Sequence, residues 1–249
     1  MIRTLLLLGF LSAPSQSDAL CEAVQFDGAA FTACEVDLET SDVRLFLRND
    51  VGEVYGTFAR VETDLPQGQR LALAMNAGMF HEDRSPVGLY VEDGDQEMRI
   101  ITSDGPGNFG LLPNGVLCLS DESAAVIESR TFAEDPPACR HATQSGPMLV
   151  IDGELHPRFL SESDSLNIRN GVGVDGDGSH LWMVISDQAV NFHHFARFFR
   201  DHLGTPNALY FDGRVSRLHA PDVGRSDFGF PIGPILGVIE STPAAGDDS

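Results

Sequence analysis

Apolar and polar side chains alternate along much of this chain in short stretches that are typical of β-strands. Residues 31–37 and 43–47 alternate with a period of two, so we predict half-buried strands there. Residues 71–76 and 148–151 are almost continuously apolar, and we predict strands buried on both faces. Residues 88–91 form a shorter stretch of the same kind.

Aspartate-glycine turns separate several of these stretches. The runs 172–174 and 181–185 flank the turn at residues 175–178, which predicts a β-hairpin. That turn, Asp-Gly-Asp-Gly, has some likeness to a calcium loop. It lacks the third acidic position and the closing glutamate, so we favour the hairpin. A second hairpin is predicted between residues 208–211 and 215–218, around Asp212-Gly213.

One segment has the spacing of an amphipathic helix. Residues 191–203 place Phe192, Phe195, Phe199 and Leu203 on one face, and Gly204 follows as a stop signal. No repeat or linker divides the remainder. We therefore predict a single α+β domain over residues 20–240, strand-rich, with mixed or antiparallel sheets and few helices.

Both ends of the chain differ from this domain. Residues 1–19 have a basic start, a short apolar run and small residues before a cleavage point, as in a secretory signal peptide. Lipidation of Cys21 is the rival hypothesis, but Leu20 precedes it where a small residue is expected. Residues 241–249 are predicted to be a disordered tail. We therefore expect a periplasmic or secreted protein with no membrane insertion after signal cleavage.

The four cysteines agree with export to an oxidising compartment. They allow three disulfide pairings, and proximity in sequence favours Cys21–Cys34 and Cys118–Cys139. A zinc site is the rival interpretation. It is disfavoured because no Cys-x-x-Cys pair exists and no histidine has finger spacing.

The charge composition excludes several functions. The chain has 16 basic residues, all arginine, against 37 acidic ones, giving a net charge of −21. Without lysine, Schiff-base chemistry and a Walker-type phosphate loop are impossible. The negative charge opposes binding to nucleic acid and to anionic membrane surfaces.

Familiar catalytic motifs give little guidance. His193 and His194 are adjacent on the predicted helix and do not face one another, so they are poor metal co-ligands. Ser145 is a possible nucleophile, although no histidine and aspartate partners can be identified for it. A metal requirement stays open, because Asp175, Asp177 and Asp212 could gather an ion, but no ligand spacing demands one. We assign no metal ligand and no cofactor.

Four glycine-rich strand ends and turns carry polar groups suited to a ligand. Their glycines allow close approach of the backbone, and their amides and hydroxyls suit sugar hydroxyls. Arg169 offers a planar fork for phosphate or carboxylate, and Asp212 offers a carboxylate at a strand end. We predict these two as catalytic. The predicted substrate-binding residues are Asn76, Gly78, Gly88, Thr143, Gln144, Ser145, Gly146, Asn170 and Gly213.

In this order, the segments resemble the phosphodiester glycosidase family, and its exported bacterial branch most closely. The family pattern reads N-A-G-F-F, P-x-G, N-G, Q-S-G-P, R-T-A-x-G and D-G-G-G-S. The resemblance covers residues 70–240, and the matching segments are Asn76-Ala77-Gly78, Pro86-Val87-Gly88, Asn114-Gly115, Gln144-Ser145-Gly146-Pro147, Arg169-Asn170-Gly171-Val172-Gly173 and Asp212-Gly213.

The resemblance implies hydrolysis between the anomeric carbon of a sugar and a phosphodiester oxygen, in a carbohydrate or sugar-phosphate substrate. Asp212 would orient water or stabilise the transition state, with Glu82, Asp83 and Asp164 as reserve carboxylates. The chain departs from the family pattern at Asn170-Gly171, where the family has Thr-Ala, and after Asp212-Gly213, where residues 214–217 read Arg-Val-Ser-Arg. Arg214 could add a second contact to an anion there.

Two other functions compete with the hydrolase. A catalytically silent periplasmic module could keep the pocket to bind a carbohydrate or sugar phosphate, and the altered last motif favours it. An envelope interaction protein could use the glycine-rich strands only as architecture, although the chain has no large tail or repeat that would support this.

Overall fold

The structure is a computed structural model that describes residues 20–242, so the predicted signal peptide and residues 243–249 of the predicted tail lie outside the described residues. Seventeen strands and three α-helices are described in that range. The strands are β1 (Cys21–Phe26), β2 (Ala29–Asp37), β3 (Asp42–Phe46), β4 (Gln69–Asn76), β5 (Tyr90–Glu92), β6 (Asp95–Met98), β7 (Gly115–Leu119), β8 (Ala124–Glu128), β9 (His141–Ser145), β10 (Met148–Ile151), β11 (Glu154–Leu155), β12 (Asn170–Val174), β13 (His180–Ser186), β14 (Asn207–Asp212), β15 (Leu218–Ala220), β16 (Arg225–Ser226) and β17 (Ile235–Ser241). The helices are α1 (Phe58–Asp64), α2 (Ser129–Glu134) and α3 (Phe192–Arg197).

Three antiparallel sheets organise these strands, which confirms the strand-rich fold with few helices. The first sheet has seven strands in the order β1-β2-β13-β12-β14-β10-β11. The second has the order β16-β15-β4-β17-β3, and the third β6-β5-β9-β7-β8. Six of the fourteen strand pairings join consecutive strands, whereas the other eight join strands that are separated in the chain order.

The first sheet is covered on both faces, as its sequence pattern requires. Along β2, Cys34 and Val36 enter the large central core shared by all three sheets. Phe31 and Ala33 point the other way, into a second core formed with α3. The period-two alternation therefore separates two apolar environments.

The predicted helix at residues 191–203 is present, but it changes type halfway. Asn191 caps its start, where its side chain accepts a hydrogen bond from the His194 N–H at 2.8 Å. After α3 the chain continues as a π-helical turn over Phe198–Leu203 and ends at Gly204 with φ +71°. Within residues 20–242, no helix is long and apolar enough to cross a membrane.

One of the two predicted hairpins is confirmed and the other is wrong. Strands β12 and β13 pair across the turn at residues 175–178, where Asp177 accepts a hydrogen bond from the Ser179 N–H. By contrast, β14 lies between β12 and β10 in the first sheet, whereas β15 pairs with β4 in the second. The chain passes from one sheet to another after Asp212. The local turn signal does not reveal this, because the partner strands are distant in sequence.

Both expected disulfides are confirmed. Cys21 and Cys34 face each other across β1 and β2, with their Cα atoms 3.9 Å apart. Cys118 of β7 is bonded to Cys139, which precedes β9.

Candidate active site

The segments that the sequence analysis selected meet where the three sheets join. Asn76 at the end of β4 and Asn170 at the start of β12 are fully buried and bonded to each other. The Asn76 amide donates to Asn170 Oδ1 at 3.3 Å, and the Asn170 amide donates to the Asn76 carbonyl at 2.9 Å. Asn76 Oδ1 also accepts from the Arg217 N–H at 2.9 Å. These two amides therefore lock the first sheet to the second.

Residues of β9 connect the third sheet to the same junction. Thr143 donates to the Ala77 carbonyl at 2.7 Å, and Ser145 donates to the Phe211 carbonyl at 3.3 Å. The side-chain oxygen of Gln144, Oε1, accepts from two backbone N–H groups, and its side-chain amide donates to Ser129 Oγ at 2.8 Å. We call the buried polar set at this junction the floor: Asn76, Thr143, Gln144, Ser145 and Asn170.

The predicted glycines sit where a side chain would collide with neighbours, which are floor residues for Gly78 and Gly88 and other residues for Gly146 and Gly213. Gly78 has φ +120°, and a Cβ there would lie 3.2 Å from Thr143 Oγ1. A Cβ at Gly88 would overlap the Gln144 amide, and one at Gly146 would lie 2.5 Å from Asn114 Cβ. A Cβ at Gly213 would overlap the Tyr210 hydroxyl. These glycines serve close backbone packing around the site.

A cleft of about 580 Å³ lies beside the floor, a size typical of small-molecule sites. It combines aromatic and aliphatic walls with a few polar groups. Among the described residues that line it, Asp212 is the one carboxylate. The lining residues are Met79, Phe80, Val87, Pro106, Gly107, Asn108, Phe109, Tyr210, Asp212, Arg214 and Val215.

Asp212 is held by the turn that it begins. Its Oδ1 accepts hydrogen bonds from the N–H groups of Gly213 at 2.5 Å, Arg214 at 2.6 Å and Val215 at 3.3 Å. Oδ2 makes no hydrogen bond to any residue in 20–242. One carboxylate oxygen thus orients the side chain, while the other is free for a ligand or a water molecule.

Arg169, predicted to be catalytic, is fully buried next to this turn and does not line the cleft. Its guanidinium stacks on Phe192, with Cζ 3.7 Å from the ring centre, and lies 5.4 Å from the ring centre of Tyr210. It donates to the carbonyls of Val190 and Ser165, both at 2.8 Å, while Nη1 has no partner in the described chain. Burial lowers the pKa of Arg169.

Tyr210 connects Arg169 to the cleft. Burial raises the pKa of its hydroxyl, so this group stays protonated and can donate a hydrogen bond. The charge of Arg169 acts in the opposite direction and the charge of Asp212 in the same direction. Tyr210 thus packs near the Arg169 guanidinium and lines the same cleft as Asp212.

The other candidate carboxylates lie elsewhere. Glu82, Asp83 and Asp164 are exposed and do not line the cleft. Asp175 and Asp177 follow the far end of β12, since Val174 pairs with Asn207 whereas Asn170 pairs with Asp212. The expectation that these two could gather an ion with Asp212 is therefore wrong. Across residues 20–242, no three His, Cys, Asp or Glu side chains are arranged to hold a metal.

Ser145, considered as a nucleophile, is fully buried and donates to the Phe211 carbonyl. Of the residues that line the cleft, the sequence analysis gave a role only to Asp212 and Arg214. Phe80, Val87 and Tyr210 are each one or two positions from a selected residue, which is a signal that could have found them. Asn108 and Phe109 come from a glycine-rich loop with no counterpart among the selected segments.

Comparison with known proteins identifies the family. The family model described as phosphodiester glycosidase matches residues 69–220, and the chain belongs to this family. It is 32% identical over 187 residues to "Uncharacterized protein YigE" of Escherichia coli strain K12, covering 75% of this chain and 73% of that one.

Two solved structures share the fold. The catalytic domain of zebrafish N-acetylglucosamine-1-phosphodiester alpha-N-acetylglucosaminidase, auto-inhibited by its pro-peptide, matches with TM-score 0.62 at 16% identity, covering 90% of this chain and 84% of that chain. A hypothetical protein from Synechocystis matches with TM-score 0.56 at 14% identity, covering 88% and 61%. The expected family is confirmed, and membership supports a glycosidase-type function.

Proposed function

We propose that this protein is an exported hydrolase that cleaves the bond between the anomeric carbon of a sugar and a phosphodiester oxygen. The observation that carries the proposal is Asp212, which presents one unbonded carboxylate oxygen in an aromatic-lined cleft. Membership of the phosphodiester glycosidase family supports this assignment. The two disulfides are consistent with export, because they are typical of oxidising compartments.

A single carboxylate is sufficient for this chemistry. Ordinary glycosidases use one carboxylic acid to protonate a poor alkoxide leaving group and a second carboxylate on the opposite side. A phosphate monoester leaves far more easily and needs stabilisation of its negative charge more than a proton. The cleft therefore does not need a second acid.

Asp212 acts at the anomeric carbon as a general base. Its Oδ2 accepts a proton from an attacking water, whose oxygen bonds to that carbon while the bond from carbon to phosphate oxygen breaks. The same negative charge stabilises the positive character that develops on the sugar ring. The products are a free sugar and a phosphomonoester.

The leaving side uses neutral and cationic donors. The protonated Tyr210 hydroxyl donates to a phosphate oxygen, and the exposed Arg214 guanidinium at the cleft edge adds a charged contact. Arg169 acts as a positioning residue, because its buried charge lies behind Tyr210 and it does not reach the cleft surface. Phe80 and Phe109 in the lining offer aromatic surface for contact with the sugar.

The test is hydrolysis of a panel of sugar 1-phosphodiesters by mature, oxidised protein, with and without a chelator. We expect release of free sugar, and loss of that release in Asp212→Asn. Binding of a sugar phosphate without any turnover by the unmodified protein would instead establish the silent binding module. Neither turnover nor binding across the panel would contradict both functions.

A further inference from the structure

A loop beside the Asp212 turn holds two phenylalanines in solvent. Phe228 is 96% exposed and Phe230 is 81% exposed. Their backbone is nevertheless fixed, because Arg217 donates from Nη1 to the Phe230 carbonyl at 2.5 Å. A side chain at Gly229 would collide with the same guanidinium, 2.5 Å from Nη2. Both rings are thus presented to solvent by an anchored segment.

The loop on the other side of the turn is built in a similar way. Leu166 and Ile168 are exposed there, while Arg169 donates to the Ser165 carbonyl at 2.8 Å. The Ser216 hydroxyl donates to the Ile168 carbonyl at 3.0 Å, which ties this loop directly to the Asp212 turn. A buried arginine again fixes a backbone that carries exposed apolar groups.

We call the exposed apolar side chains of these two loops the apolar rim: Leu160, Leu166, Ile168, Phe228 and Phe230. Among residues 20–242, only Val51 and Val223 are further large apolar side chains with comparable exposure. Isolated apolar residues on a surface are ordinary, but a concentration of them marks a binding surface.

The two loops that carry the apolar rim adjoin the walls of the cleft. A Cβ at Gly233, in the loop that carries Phe228, would lie 2.6 Å from Phe80 Cβ, and Phe80 lines the cleft. On the other side, Ser216 follows Val215, which also lines the cleft. A ligand that leaves the cleft on either side therefore meets apolar surface.

We propose that the alcohol half of the substrate diester is a lipid alcohol, whose hydrocarbon chain lies on the apolar rim. This inference rests on the proposed function. With the sugar and phosphate in the cleft, the second ester oxygen carries its substituent outward, where apolar surface is available to be buried. Water would join the anomeric carbon, the bond from carbon to phosphate oxygen would break, and the products would be free sugar and a lipid monophosphate.

The net charge of the chain indicates how the lipid substrate is presented to the protein. With a net charge of −21, the protein is repelled by an anionic bilayer. The rim therefore takes single lipid molecules or lipids in a neutral surface. A second copy of the chain is the competing occupant that the experiment must exclude.

The experiment compares the N-acetylglucosamine 1-phosphate diesters of methanol and of farnesol, both below their aggregation concentrations. We expect kcat/KM to be higher for the farnesyl diester by about tenfold or more, because isoprenoid surface is buried. The paired change Phe228→Ala with Phe230→Ala should remove that preference, as should Leu160→Ala with Leu166→Ala. The methyl diester, too short to reach the rim, is the internal reference, and Val51→Ala is the control for an exposed apolar residue elsewhere.

Equal kcat/KM for the two diesters would overturn the inference. A dimer seen by sedimentation that dissociates in the double variant Phe228→Ala with Phe230→Ala would also overturn it. If neither diester is hydrolysed, the proposed function fails, and calorimetry with farnesyl phosphate then tests whether the apolar rim binds a lipid chain. Binding that is weaker in the Phe228→Ala and Phe230→Ala double variant would still support a lipid surface, and an absence of binding would overturn it.

Discussion

Polar residues in the floor and in the cleft lining follow opposite rules. Every side-chain polar atom of the floor has a hydrogen-bond partner, as in Asn76 and Gln144. In the lining, Asp212 Oδ2 and the Arg214 guanidinium have none within residues 20–242. Satisfied buried groups specify a structure, whereas unsatisfied accessible groups are available for a ligand.

The same contrast bears on the two departures from the family pattern. Four of the five floor residues lie in the matching segments, and one of them, Asn170, stands where the family has threonine. The other departure, Arg214 and the residues after it, begins in the lining. We infer that the floor residues build the site and that the lining residues contact the substrate. Five changes test this division, and their expected effects decrease in the order given.

The largest effect is expected for Asp212→Asn. The amide oxygen can still accept the three N–H groups of the turn, so the fold should persist while the anionic oxygen is lost. We expect kcat/KM to fall by about 10²–10⁴-fold, with an unchanged melting temperature. Asp164→Asn, an exposed carboxylate outside the cleft, is the control, and near-normal turnover in Asp212→Asn would remove Asp212 from the mechanism.

In the floor, Asn170→Ala should act on stability instead. It leaves buried groups of Asn76 without partners, which should lower the free energy of unfolding by about 2–3 kcal/mol. Urea unfolding measures this, with the exposed amide Gln67→Ala as the control. A stable but inactive Asn170→Ala variant would break the division, because a floor residue would then act in catalysis.

Tyr210→Phe removes one hydroxyl that lies between the two regions. Loss of a hydrogen bond to a charged phosphate oxygen should reduce kcat by about tenfold or more. The phenyl ring still stacks in the core, so little change in melting temperature is expected. If the KM for substrate and kcat are both unaffected, the hydroxyl belongs with the floor and has no role in the reaction.

Glu92 is a partly buried carboxylate that does not line the cleft, and it predicts a dependence of protein stability on pH. Its carboxylate accepts from the Tyr90 hydroxyl at 2.6 Å and the Leu47 N–H at 3.1 Å, and burial raises its pKa from 4.5 to about 7. Because the folded-state pKa is raised, the stabilising contribution is complete below about pH 4.5 and is lost as the pH rises through about 7.

Glu92→Gln should therefore stabilise the protein at pH 8 by an amount on the order of 2 kcal/mol and change little at pH 4.5. The glutamine oxygen can accept both hydrogen bonds without a charge. Urea midpoints at the two pH values measure the effect, with exposed Glu122→Gln as the control. An equal shift at both values would contradict the assignment, and kcat should not change.

The smallest effect is expected for Arg214→Gln. The charge of Arg214 at the cleft edge is in contact with solvent and is therefore screened. We expect KM to rise only by about two- to fivefold at low salt. Added salt should narrow the difference, and exposed Arg99→Gln should show none. An unchanged KM at low salt would end the role of Arg214 as an anion contact.

Much of the fold was predictable wherever the polarity and conformational preference of a residue indicate its burial or a turn. Strands β2, β4 and β13 were identified from apolar spacing, and the turn at 175–178 from residues that adopt tight turns. By contrast, the short α1 and the closing strand β17 were not identified. Seven-residue helices carry too little periodicity, and β17 is stabilised by β3 and β4, which lie far away in sequence.

The candidate site was predicted in composition more than in arrangement. Asp212 lines the cleft as its position at a strand end indicated. Asn76 and Gln144, chosen as ligand contacts, instead bond to the protein itself. Residue type alone cannot separate these cases, because an amide that binds a sugar and an amide that joins two strands have the same chemistry.

By itself the sequence indicated most of the strands, the favoured disulfide partners, the family and the exclusion of lysine chemistry, because each depends on local spacing, motifs or composition. Only the tertiary structure decided which polar groups are sealed in the floor and which face the cleft. It also decided that the chain crosses between sheets after Asp212. Burial and pairing are set by strands that meet from distant parts of the chain, and no local pattern records which neighbours they find.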